Sequence, residues 1–159
     1  MGLWNMLTQQ NSIKDSILPA GAAQDLLSGR LPKLNTNSIF LKQGEYCVYI
    51  DKAIRNVEKT QRVGHYHGSS YKGLFGQPVR YGTSHSHEYQ ENFQFKGILY
   101  ITNKRVIFQA QDKGFERAHG KLTAIEPFAN AVRLQYGDTS FELIVADGNV
   151  VNAALKLII

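Results

Sequence analysis

Apolar and polar residues alternate through FQFKGILYITNKRVIFQAQ, residues 93–111, and a period of two over this length predicts two β-strands folded into a hairpin. Phe93, Phe95, Leu99 and Ile101 fall on one face, and Val106, Phe108 and Ala110 resume the period after the turn. Thr102-Asn103-Lys104 supplies that turn, because Asn bonds locally to backbone and tolerates the left-handed conformation. Gly97 interrupts the first strand, as a glycine does where a neighbouring backbone comes close or where a bulge forms.

A strand partly apolar on both faces is expected at 46–50, and the same period of two predicts a second hairpin, 131–136 with 140–145, turning at Gly137-Asp138. A short strand is expected at 121–125, ending at Pro127. Residues 54–67 read as a more polar long strand or strand pair. Residues 64–76 and 82–94 are rich in Gly, Ser and Tyr or mostly polar, and they read as two loops around an edge strand at 78–81.

Helical spacing appears near both ends. Residues 21–28 predict a short helix with Ala22, Leu26 and Leu27 inward and Gly29 as its stop. Val151, Ala154, Leu155 and Ile158 predict a helix over 150–159 with Asn149 as N-cap. Leu3, Trp4, Leu7, Ile13 and Ile17 give residues 1–19 a helix-like apolar spacing, broken at residues 9–12, with Ser12 as a candidate N-cap. This segment is expected to dock on the chain's own core, with a partner, a second copy or a membrane interface as alternatives.

Composition changes the picture little. The chain has 159 residues, 43% hydrophobic and 19% charged, which is a globular balance sufficient for one core. No apolar run approaches the ~20 residues that cross a bilayer, and no basic n-region precedes an apolar core, so no signal peptide is expected. The single cysteine, Cys47, has no partner within the chain, which suits a reduced cytosolic protein. The net charge of +5 is uneven: residues 30–105 hold 12 Lys/Arg against 5 Asp/Glu, and residues 106–159 hold 5 against 6. A basic half can attract an anionic surface or can simply be a solvated sheet edge.

Gly97, Leu99, Tyr100, Thr102, Asn103, Arg105 and Phe108 form G-x-L-Y-x-T-N-x-R-x-x-F. This pattern resembles the core hairpin of GRAM and bacterial PH-like domains. The resemblance implies a mainly β fold: a PH-like barrel of two near-orthogonal antiparallel sheets with a C-terminal helix. Residues 43–159 would form that domain and residues 1–42 a helical and extended leader, whose Gly29-Arg30-Leu31-Pro32 step is also similar to bacterial relatives. It further implies a bacterial, cytoplasmic binding module, with attachment at the inner face of the membrane as an alternative. Arg105 would then be structural, its guanidinium bonding several backbone carbonyls at once.

Three chemistries remain. Lys52, Arg55, Lys59, Arg62 and Lys104 are candidates for an anion or lipid site, although the phosphoinositide pattern of closely spaced cations on the second strand is incomplete. His65, His67, His85 and His87 occur as HYH and HSH, and residues two apart share a strand face, so each pair could chelate one metal and two pairs on adjacent strands would make a four-nitrogen site; solvated loop imidazoles are the preferred reading, with pH sensing a further alternative. Tyr66, Tyr71, Phe75, Tyr81 and Tyr89 interleave with Lys72 and Arg80, yet no nucleic-acid motif accompanies them. G-x-S-x-G, a P-loop and G-x-G-x-x-G are all missing from the sequence. The expectation is a non-catalytic module without cofactor, binding a protein or peptide. Peripheral binding to anionic lipid is the first alternative, and metal binding by the histidines the second.

Overall fold

The computed structural model describes residues 12–72 and 78–159, with side chains described outside 65–81 and 83–85. The chain is mainly β and divides into two compact units, Met1–Val57 with Phe93–Ile159, and Glu58–Asn92. The elements in chain order are helix α1 (Ala20–Leu27), strands β1 (Cys47–Lys72), β2 (Pro78–Thr102), β3 (Arg105–Ala110) and β4 (Phe115–Ala118), and a 3-10 turn at His119–Lys121. Strands β5 (Ala124–Phe128), β6 (Ala131–Tyr136) and β7 (Thr139–Ile144) and helix α2 (Gly148–Ile158) complete the chain.

The seven strands form one ladder in the order β4-β3-β2-β1-β7-β6-β5. The expected division into two sheets is replaced by this continuous ladder because β1 bonds to β2 on one side and to β7 on the other. The registered pairs β1–β7, β2–β3, β3–β4, β5–β6 and β6–β7 are all antiparallel. β4 and β5 are its ends, and they do not pair among the described residues. β4 and β7 are four places apart, which in a flat sheet is about 19 Å at about 4.8 Å per strand. Yet Phe115 of β4 and Phe141 of β7 stack with ring centroids 3.8 Å apart and planes at 10°. In the first unit the ladder therefore bends back on itself, and the core fills the bend: Val48, Leu99, Ile101, Val106, Phe108, Leu134, Leu143 and Leu155 are all buried there.

The central hairpin follows its alternation. Gly97 faces Ala110, Leu99 faces Phe108 and Ile101 faces Val106 in unbroken register. No bulge occurs; Gly97 serves close approach instead. A Cβ there would lie 2.4 Å from the Gln109 carbonyl oxygen and 2.9 Å from the Phe108 ring. α2 presents buried Val150, Val151, Ala154 and Leu155 to the core and packs against α1, β5 and β6. Its N-cap is Asp147 rather than Asn149: the Asp147 carboxylate accepts from Asn149 N at 2.9 Å.

Several other expectations are corrected. The regions read as loops at 64–72 and 82–94 are extended strand within β1 and β2; residues 73–77 lie outside the described part. Glu58, Lys59 and Thr60 are exposed in succession, so no apolar alternation marks this extension of β1. Residues 12–19 are irregular, with bends at Asp15 and Leu18, so Ser12 caps no helix; residues 1–11, with Leu3, Trp4 and Leu7, lie outside the described part. In α1, Ala22 and Leu26 are buried, but Leu27 is 58% exposed. β4 falls at 115–118, where the sequence pattern predicts no element, and β5 begins at Ala124 and runs through Pro127.

Candidate functional site

The T-N-K-R turn between β2 and β3 is a buckle for the segment that enters β1. Asn103 accepts from Tyr46 N at 2.9 Å and donates to the Gly44 carbonyl at 3.1 Å. The Thr102 hydroxyl donates to Glu45 Oε2 at 2.6 Å and accepts from the backbone N–H of Lys104 and Arg105. Arg105 donates to both Glu45 oxygens, at 2.9 and 3.0 Å, to Glu116 at 2.7 Å and to the Phe40 carbonyl. Burial alone would raise the Glu45 carboxyl, but hydrogen bonds from Arg105, Thr102 and Lys42 N, with the guanidinium's charge, outweigh it and hold the group at about 2. Every Arg105 nitrogen is thus engaged within the fold. His119, buried, sets Nε2 2.6 Å from the Thr102 carbonyl oxygen.

Within the first unit the candidate cations Lys52, Arg55 and Lys104 have different surroundings. Lys104 Nζ donates to the Gln43 carbonyl at 2.8 Å. Arg55 turns inward: it lies over the rings of Phe141 (4.8 Å) and Phe115 (5.4 Å) and donates to the Lys113 carbonyl at 2.6 Å. Its burial, and then the like charge of Arg117, push its guanidinium pKa down. Lys52 lies two residues from Ile54 and three from Arg55, so strand alternation puts it on the opposite face from Arg55. Lys59 and Arg62 belong to the other unit, where Arg62 pairs with exposed Glu88 at 2.5 Å. His65, His67 and His85 lie outside the residues whose side chains are described, and His87 is exposed. Among the described residues no group of three or more His, Cys, Asp or Glu converges as a metal site. Cys47 is buried, and burial pushes its thiol up to about 11, so little thiolate forms at neutral pH.

Three surface features of the first unit stand out. A trough of about 320 Å³ runs between the β5 end of the ladder and α2, lined by Leu122, Ala124, Ile125 and Ile159 with Lys156 at its side. The tip Phe40-Leu41 is exposed, Phe40 almost fully, with its backbone held by Arg105 and with Lys42 and Lys104 alongside. A cavity of about 550 Å³ opens where Ser12–Lys14 cross β1 and β2. None of these was legible in the sequence, because each joins segments far apart along the chain.

No helix among the described residues is long and apolar enough to cross a membrane. No protein-family model, curated protein or solved structure matches this chain.

Proposed function

We propose that the chain is a non-catalytic binding module of PH/GRAM-like architecture that captures an extended protein segment along β5 beside α2. The architectural part is supported by the G-x-L-Y-x-T-N-x-R-x-x-F hairpin, seven antiparallel strands bent around one core and a closing C-terminal helix. The observation that carries the binding reading is the trough. β5 ends the ladder, so it offers unpaired backbone groups to an added strand, and the apolar floor of Leu122, Ile125 and Ile159 lies directly beside it. Lys156 makes an acidic side chain or a terminal carboxylate the fitting polar partner. Pro127 lacks an N–H, which limits pairing to the Ala124–Glu126 part of the strand. The test is selection from a displayed peptide library against the full chain and against Ile125→Arg. Peptides with alternating apolar residues and an acidic group, lost on the variant, support the reading; peptides that bind both equally oppose it.

A second reading, peripheral attachment to anionic membrane, draws on the Phe40-Leu41 tip. An exposed aromatic beside two lysines is the arrangement that enters a lipid interface while the cations meet headgroups. Phe40→Ser would then abolish sedimentation with phosphatidylglycerol vesicles, whereas unchanged sedimentation would remove the tip from the mechanism. Within the first unit, Lys52 and Arg55 fall on opposite strand faces, which lends no support to a lipid site shared by those two.

A further inference from the structure

We infer that the cavity under the leader is a binding site for an anion carrying two or more phosphate groups, held by Lys14, Lys52 and Lys96. The three lysines come from the leader, β1 and β2, and together with Ser12 and Gln94 they supply the polar part of the lining. No carboxylate lines the cavity, and no ion pair joins any of the three to an acidic residue among the described ones. This contrasts with Arg30, Arg62, Arg105 and Arg133, each of which meets a carboxylate.

The nearest acid in sequence to Lys52 is spent elsewhere. Buried Asp51 accepts from the Ser16 hydroxyl at 2.5 Å, from Ile17 N at 2.8 Å and from Lys52 N at 2.8 Å. Those bonds also hold the leader in place, and Ile13 packs beside Ile54 on the cluster of Ala131 and Ile144. Lys14 is therefore positioned between two anchors rather than left on a loose tail. Three like charges around one concavity repel one another, and the field in a cleft of one sign concentrates counter-ions. A phosphate group is the natural counter-ion for ammonium donors, which bind it as point charges. The volume exceeds what a single phosphate fills and lies in the range of small-molecule sites, which is roughly 300–1,000 Å³. This site is separate from the β5–α2 trough and does not rest on the peptide reading.

The chemistry is shared by free polyphosphorylated metabolites and phosphorylated lipid headgroups, and the test separates them. Inorganic tripolyphosphate is titrated into the full chain by calorimetry. The comparison is with a triple variant Lys14→Gln, Lys52→Gln, Lys96→Gln and with a control of equal charge loss, Lys33→Gln, Lys113→Gln, Lys121→Gln. The expected result is an affinity at least about tenfold weaker in the first variant and changed less than about twofold in the control, since close contacts outweigh the screened general field. Equal weakening in both, or no heat with the unaltered chain, overturns the site. Single Lys14→Gln, on an exposed side chain, repeats the comparison should the triple variant unfold; it must weaken binding measurably. Vesicles of phosphatidylcholine with cardiolipin, whose headgroup carries two phosphates, are then added as competitor. Displacement of tripolyphosphate, absent with phosphatidylcholine alone, assigns the site to a headgroup, and failure to displace assigns it to a free phosphorylated ligand.

Discussion

Arg105 at the start of β3 and Glu45 in the approach to β1 form a two-pronged ion pair at 2.9 and 3.0 Å across sixty residues of chain. The Glu45 side chain is fully buried and that of Arg105 is 10% exposed. Glu45 also takes the Thr102 hydroxyl, so one carboxylate ties the loop to the central hairpin. Removing Arg105 leaves that charge buried without its main partner. Arg105→Ala is expected to cost about 3–5 kcal/mol in chemical denaturation. Replacing both residues by apolar ones, Arg105→Met with Glu45→Leu, should recover much of that loss.

The same pair sets an acid limit. Glu45 titrates near 4.5 when unperturbed and at about 2 in the fold. Above 4.5 both folded and unfolded carboxyls are ionised and the stabilisation is complete. As pH falls from 4.5 towards 2 the unfolded state takes the proton first, so stability declines. Denaturation midpoints followed over that window should slope less in Glu45→Gln than in the unaltered chain; parallel slopes would assign the acid sensitivity to other carboxylates.

Gly97 admits no side chain. An added methyl would meet the Gln109 carbonyl oxygen and the Phe108 ring inside normal contact distance, so Gly97→Ala should destabilise by about 1–3 kcal/mol. Gly64 has nothing within 4 Å of a built Cβ, and Gly64→Ala should stay within about 0.5 kcal/mol of the unaltered chain. Thermal melts of the two variants make the comparison.

Asp147 caps the helix that covers the core. Asp147→Ala removes the acceptor for Asn149 N and should cost about 1 kcal/mol. Asp147→Asn should retain most of the capping, and denaturant midpoints distinguish the two.

Cys47 should resist modification in the folded chain. Its thiol is buried, donates to the Tyr49 carbonyl at 3.2 Å and is pushed up to about 11. Reaction with Ellman's reagent at pH 8 should track unfolding, becoming fast only in denaturant; rapid labelling of the native chain would contradict this burial.

The parts of the fold that could be read in the sequence are those whose strands each have one buried face. The 93–111 hairpin, β6, β7 and α2 carry their apolar period openly because Leu99, Phe108, Val132, Leu143 and Leu155 all face one core. The distal halves of β1 and β2 belong to the second unit and are polar along their described length, so composition pointed to loops where backbone pairing gives strand. β4 was hidden for a different reason. In FERA only Phe115 is buried, and one residue makes no period. Buried Glu45, Asp51 and His119 look like ordinary surface residues until their partners, Arg105, Ser16 and Thr102, are brought close by the fold. The resemblance drew attention to Arg105, but its carboxylate partners carry no motif of their own.

Peptide capture at β5 is tested most directly by mapping backbone amide NMR shifts on the full chain as a selected peptide is added. Saturable shifts concentrated at residues 122–128 and 154–159, abolished by Ile125→Arg, are the expected result. Shifts centred elsewhere in the first unit, or unchanged by that substitution, would contradict strand addition beside α2.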